Sequence, residues 1–346
     1  MDRIKLHKIP KKILIVKPSS LGDVVHSLPF LDRLNNAFPK AEIHWVIAAG
    51  LEGLLEGHPM VRRLWVINKD QWKQLKTIDV TLTEIKSLFS RLKDESFDLV
   101  VDLQGLLRSG LITYSTRSSF RIGFREAREG GRLFYTHKVA GERDMHAVDR
   151  YLRIAEALGC GGDKVIFPMP LIKDSDKARR LKERAGRYAV LAPGARWQTK
   201  IWPAERFGAL AAGLDLKSIV VGSGADVEKA EKIEKLSGGK AVSAAGDTDL
   251  RELISIIRDA SLAITNDSGP MHIAAACGIP VVALFGPTNP VRTGPYGDNH
   301  IIVKAGSPCA PCYGKRCPDL LCMKGISVED VRKAVTKILQ PLSLQA

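Results

Sequence analysis

Residues 261–285 alternate in a way that few folds accept. Ser261-Leu262-Ala263-Ile264-Thr265 is a short apolar run of strand length. Asn266-Asp267-Ser268-Gly269-Pro270-Met271-His272 follows as a tight polar turn. Residues 273–278 are small and apolar and read as a helix that stops at Gly278. A second buried strand, 280–285, closes on Gly286-Pro287-Thr288. Strands without polar positions must be covered on both faces, and a helix between two of them makes the pair parallel. In open parallel sheets, ligands bind at the C-terminal ends of the strands. The turn at Gly269 also opens a helix, whose free N–H groups and dipole suit a phosphate. Asp267 and His272 stand where they reach a sugar. Glycine turns also serve α/β folds that bind nothing there, so the turn alone leaves both readings open.

The same alternation fills the rest of the chain. Apolar strands are expected at 11–17, 42–47, 63–67, 97–103, 188–192 and 218–222. Helices are expected at 24–38, 83–93, 146–158, 227–236, 250–257 and from 327. Pro29 should kink the first helix or mark its true start. Residues 117–138 differ: arginines crowd between Gly123, Gly130 and Gly131, which predicts a basic, loop-rich stretch. A chain of 346 residues exceeds the usual single-domain size. Pro168-Met169-Pro170 and the charged segment 173–187 set the boundary. The expected parts are an N-terminal Rossmann-like domain, 1–172, a C-terminal one, 173–326, and a terminal helix, 327–346. Alternating strands and helices make the class α/β.

The formal net charge of +14 favours anionic partners, whether phosphorylated substrates, lipid head groups or nucleic acid. Nucleic acid would want aromatics interleaved with the basic stretch, and only Phe120, Phe124, Phe134 and Tyr135 qualify. The first turn lacks G-x-G-x-x-G, which weighs against a dehydrogenase. No apolar run is long enough to span a bilayer, and the first residues lack the apolar core of a signal peptide. The expected location is therefore cytoplasmic. Cys309-x2-Cys312-x4-Cys317-x4-Cys322 suggests metal before disulfides in that compartment, with zinc the candidate.

Lys17-Pro18-Ser19-Ser20-Leu21-Gly22-Asp23-Val24-Val25-His26-Ser27-Leu28-Pro29 resembles the N-terminal signature of the ADP-heptose:lipopolysaccharide heptosyltransferases. Residues 98–105, 267–272 and 286–288 match further segments of that family in the same order. His146-Ala147-Val148-Asp149-Arg150 is similar to heptosyltransferase I. The resemblance implies a GT-B fold, two Rossmann-like domains facing a central cleft. It implies inverting transfer of L-glycero-D-manno-heptose from ADP-heptose to Kdo of Kdo-lipid A, with no cofactor required, at the inner face of the inner membrane. It makes Asp23 the base and Lys200 the cation near the diphosphate. Ser268 and Gly269 become phosphate donors, with Asp267 and His272 near the sugar. Gly194, Ala195 and Arg196 form the loop before the lysine, and Glu228 and Thr248 fall near ribose and adenine. Ser20, Gly22, Arg62, Arg63, Gln104, Arg121 and Arg125 are the expected acceptor side. From the residues alone, Asp23 reads first as a cap for its helix and Lys200 as a solvated loop lysine. Heptosyltransferase II, another GT-B transferase with a different nucleotide sugar, and a basic nucleic-acid-binding protein remain the alternatives.

Overall fold

The computed structural model describes residues 3–68, 78–142 and 144–340, and only the backbone of 78–82. Residues 341–346 of the expected terminal helix lie outside the described residues. The chain divides into two units, Met1–Leu171 and Ile172–Ala346.

The first unit runs β1 (Lys12–Val16), α1 (Leu21–His26), α2 (Leu28–Ala37), β2 (Glu42–Ala48), β3 (Arg63–Ile67) and α3 (Ile78–Asp94). It continues with β4 (Leu99–Asp102), α4 (Leu107–Ser115), β5 (Phe120–Phe124), β6 (His137–Val139) and α5 (Ala147–Ala157). The second unit runs α6 (Asp176–Ala185), β7 (Tyr188–Ala192), α7 (Ala204–Gly213), β8 (Lys217–Val220), α8 (Val227–Leu236), β9 (Ala241–Ser243) and α9 (Leu250–Arg258). It closes with β10 (Leu262–Asn266), α10 (Gly269–Ala276), β11 (Val281–Leu284), α11 (Pro290–Thr293), β12 (His300–Val303), α12 (Leu321–Lys324) and α13 (Val328–Leu339).

Each unit carries one parallel sheet, ordered β3-β2-β1-β4-β5-β6 and β12-β11-β10-β7-β8-β9. Both are doubly wound, with the chain reversing direction across the sheet between β1 and β4, and between β7 and β10. In folds of this kind, the point where strand order reverses, at the carboxyl ends of the strands, is where ligands bind. The register sets each pair level: Val16 lies opposite Asp102, and Ala192 opposite Thr265. Helices on both faces explain why Ile13, Leu14, Ile15 and Val16 are fully buried. In the second unit Trp202 is the largest core residue. It packs edge-on against Phe207 at 4.9 Å and donates Nε1–H to the Ile326 carbonyl at 2.9 Å. Val331, Ala334 and Val335 of α13 enter the same core.

Two expectations are corrected. Residues 24–38 form two helices, because Ser27 breaks the first and Pro29 sits in the opening turn of the second, where its missing N–H costs nothing. Residues 117–138 contain β5, a short 3-10 turn at Gly131–Phe134 and β6. The run Phe120-Arg121-Ile122-Gly123-Phe124 buries Phe120, Ile122 and Phe124, and Arg121 is tolerated because backbone carbonyls accept its guanidinium. The charged segment 173–187 is largely α6, opened by Ser175, whose Oγ accepts from the Ala178 amide at 3.1 Å.

Gly123 has a specific reason to be glycine. A Cβ there would run into the ring of Tyr135. Gly123→Ala should therefore destabilise the protein by about 1–3 kcal/mol, the cost of overpacking a filled site. Chemical denaturation of wild type and variant measures it, and an unchanged midpoint would contradict the packing described.

Candidate active site

The loop after β1 is built around two charges. Lys17 is 3% exposed, and its Nζ donates to the Leu103 carbonyl at 3.3 Å. It lies 4.0 Å from Asp23 Oδ1 and 5.0 Å from the centre of the Tyr151 ring. Burial works against its charge, but Asp23, Tyr151 and Asp102 outweigh that and hold its pKa above the ordinary lysine value. Ser20, the N-cap of α1, donates its amide and its Oγ to Asp23 Oδ2, at 3.0 and 2.8 Å. Asp23 thus does cap its helix, with one oxygen. Its Oδ1 accepts from the Tyr151 hydroxyl at 3.5 Å, and the side chain keeps 37% exposure.

The neighbouring loop leaves β4. Asp102 is fully buried, and its Oδ1 accepts from the amides of Gln104 and Gly105, at 2.8 and 3.0 Å. Its Oδ2 accepts from the Tyr135 hydroxyl at 2.7 Å. These bonds fold the loop so that Gln104 Oε1 accepts the Ser19 amide at 3.4 Å, tying the two loops together. Ser20, Gly22, Asp23 and Gln104 are therefore gathered at one sheet edge.

Arg62, Arg63 and Arg121 are not. Arg62 precedes β3, Arg63 opens it, and Arg121 is the second residue of β5, so in a parallel sheet they lie toward the edge where strands begin. Arg63 pairs with Glu95 at 2.7 Å and stacks on Trp65 at 4.1 Å. Arg121 donates to the carbonyls of Phe134 and Ser118. Arg125 follows β5 at the strand-end edge and is exposed. It alone of the four arginines stands on the edge that carries Asp23.

In the second unit, Lys200 Nζ pairs with Asp267 Oδ2 at 2.6 Å, and Thr288 Oγ1 donates to the same oxygen at 2.6 Å. Asp267 is 6% exposed and Lys200 17%, so the cation is held on a carboxylate that cannot swing away. Nζ also lies 4.6 Å above the Trp197 ring, which Lys315 approaches at 5.3 Å. Asn266, fully buried, donates to the Pro193 carbonyl at 2.7 Å and accepts from the Trp202 amide at 3.2 Å. It fixes the Pro193–Trp202 turn against the start of α10, where Ser268 is the N-cap and Gly269 the first residue. Gly194, Ala195 and exposed Arg196 line this turn. A Cβ on Gly194 would come within 2.5 Å of Asp226 Oδ2. His272 is buried in the first turns of α10. Glu228 is exposed in the first turn of α8, and Thr248 donates to the Ala244 carbonyl at 3.3 Å, both beyond the β8 and β9 ends.

Lys17, Asp102, Asn266 and Thr288 lie in motifs read from the sequence but were assigned no role there, and Tyr151 and Lys315 were not singled out. Lys17 ends an apolar strand and Asp102 lies within one, and a charge in such a run was the available signal. The segment of the cysteines folds over the second site: Thr199 donates to the Gly314 carbonyl at 2.7 Å, and the Tyr313 amide to that of Pro287 at 2.8 Å. Cys309, Cys312 and Cys317 are exposed thiols and Cys322 is buried. Among the described residues no three His, Cys, Asp or Glu stand close enough together to hold a metal ion.

Asp102 sets a pH test. Burial raises its pKa, against hydrogen bonds from Gly105, Ser109, Tyr135 and Gln104. A carboxyl whose pKa rises on folding contributes most below its unfolded value, about 4, and that contribution is lost as pH climbs through the folded value. Asp102→Asn cannot ionise, so its stability should gain on wild type as pH rises from about 4 toward neutral. Denaturation midpoints across that range check the sign.

The sequence profile of glycosyltransferase family 9 (heptosyltransferase) matches residues 85–322. Lipopolysaccharide heptosyltransferase 1 of Pseudomonas aeruginosa is 31% identical over 318 residues, covering 88% of this chain and 87% of that protein. The crystal structure of a family 9 glycosyl transferase from Veillonella parvula has 26% identity and a TM-score of 0.78, covering 96% of this chain and 97% of that one. E. coli heptosyltransferase WaaC with ADP has 24% identity and a TM-score of 0.75, covering 94% and 99%, and shows the same two-unit GT-B fold. The nucleic-acid reading has no counterpart among these relatives. Likeness on this scale, carried on the fold these enzymes share, means that the chain belongs to glycosyltransferase family 9, the heptosyltransferases.

Proposed function

We propose that this enzyme transfers L-glycero-D-manno-heptose from ADP-heptose to Kdo of Kdo-lipid A, in assembly of the lipopolysaccharide inner core. The relative named lipopolysaccharide heptosyltransferase 1 supports this acceptor step over that of heptosyltransferase II. The observation that carries the chemistry is Asp23: its Oδ2 is fixed by Ser20, its Oδ1 lies beside Lys17 and Tyr151, and the side chain keeps 37% exposure.

In this reading the acceptor hydroxyl loses its proton to Asp23 as its oxygen attacks the anomeric carbon of the heptose. The bond from that carbon to the diphosphate oxygen breaks, the configuration inverts, and ADP leaves with the electron pair. Lys17 balances the carboxylate before transfer and does not move. Lys200, pinned by Asp267, and the amides of Ser268 and Gly269 meet the charge that grows on the leaving diphosphate. Arg196 adds a cation there, Asp267 and His272 adjoin the sugar, and Glu228 and Thr248 adjoin the nucleoside. Gln104 and Arg125 orient the acceptor. Work on a lipid-linked acceptor places the enzyme at the cytoplasmic surface of the inner membrane, where its positive charge meets anionic lipid.

Asp23→Ala should lower kcat by about 10²–10⁴-fold, the usual loss for a positioned base, with the KM for ADP-heptose little changed. Steady-state kinetics with defined Kdo-lipid A decides this, and near-normal turnover by the folded variant would remove Asp23 from the role. Turnover with ADP-heptose should exceed that with UDP- or GDP-sugars, and equal rates would contradict the donor assignment.

Arg125→Ala should raise the acceptor KM and leave the donor KM near wild type, whereas Lys200→Ala should do the reverse and also lower kcat. Varying each substrate in turn separates the two. An Arg125→Ala variant impaired only in the donor KM would contradict this assignment.

A further inference from the structure

The α4 helix has an apolar face that the fold does not cover. Leu107, Leu111 and Tyr114 fall at i, i+4 and i+7, one stripe along the helix, and are 45%, 39% and 42% exposed. The inward face, Ser109, Gly110, Ile112 and Thr113, is buried as in an ordinary crossover helix. A second apolar tip joins the stripe. Gly110 lets the turn Gly131–Phe134 lie directly on α4, since a Cβ there would come within 2.5 Å of the Phe134 ring. That turn carries Leu133, which is 78% exposed.

The surroundings are basic. Arg117, Arg128 and Arg132 are exposed, and the only acidic residues in 104–138 are Glu126 and Glu129. The guanidinium groups of Arg117 and Arg121 lie 5.0 and 5.5 Å from the Tyr114 ring centre. An apolar stripe flanked by arginines and an aromatic with a polar tip is the composition of a surface that lies in the boundary of an anionic bilayer. Among the described residues no helix is long and apolar enough to cross a membrane. The stripe also begins beside the loop proposed to meet the acceptor, because Leu107 follows Gln104 by three residues.

We propose that the outer face of α4, together with Leu133, is the surface that seats this enzyme on an anionic lipid bilayer and so brings its acceptor loop to a lipid-linked sugar. This rests on the peripheral location proposed above and names the residues that produce it. The apolar side chains enter the acyl boundary, and the arginines hold the head-group phosphates.

The test is co-sedimentation of the full chain with vesicles of phosphatidylcholine alone or with about one-third phosphatidylglycerol, at low and raised salt. The wild type should sediment with the anionic vesicles and be released by salt. The triple variant Leu107→Ser, Leu111→Ser, Leu133→Ser should bind them at least about tenfold more weakly, while turning over a soluble, delipidated Kdo acceptor at the wild-type rate. If wild type and variant bind alike, the α4 face is not the seat, although the peripheral location survives. If the wild type binds neither vesicle, both fall. If the wild type is a dimer in solution that the triple variant splits, a second copy covers this face and the proposal is wrong.

Discussion

In a parallel sheet every strand ends on the same edge, and each unit of this enzyme depends on that constraint. It decides which of two similar-looking residues is placed to meet a ligand. Asp23, Gln104 and Arg125 follow strand ends, whereas Arg62, Arg63 and Arg121 belong to strand beginnings. Strand order reverses beside β1 and beside β7, and the candidate residues Asp23, Gln104, Lys200 and Asp267 stand in or beside the loops that follow those strands and their neighbours.

Buried charge shapes both sites. Isolated, such groups would be costly, so each is held by several partners. Asp102 spends its oxygens on two loop amides and a tyrosine, which gives the loop after β4 its form. Asp267 does similar work in the second unit, fixing Lys200 and Thr288 through one oxygen. Under the proposed function, Asp23, held by Ser20, and Lys200, held by Asp267, are oriented before any ligand arrives, which lowers the reorganisation that chemistry has to carry.

Much of this was legible in the sequence, for physical reasons. The fully apolar strands and the glycine turn at Gly269 survive as β1, β2, β3, β4, β7, β10, β11 and the start of α10, because nothing distant is needed to specify them. What failed was whatever depended on partners far along the chain. Arg121 made residues 117–138 look like loop, since its two carbonyl acceptors, at Ser118 and Phe134, are not visible as a pattern. The arginines were grouped by charge, and charge does not say at which end of a strand a residue sits.

The central claim is a division of labour, with the carboxylate on one unit and the diphosphate grip on the other. Calorimetric titration with ADP tests it most directly, since ADP carries the leaving group and no sugar. Lys200→Ala should weaken ADP binding by about tenfold or more, the worth of one charge-assisted hydrogen bond, while Asp23→Ala should bind ADP as wild type does. If Asp23→Ala weakened ADP as much as Lys200→Ala, the division would be contradicted.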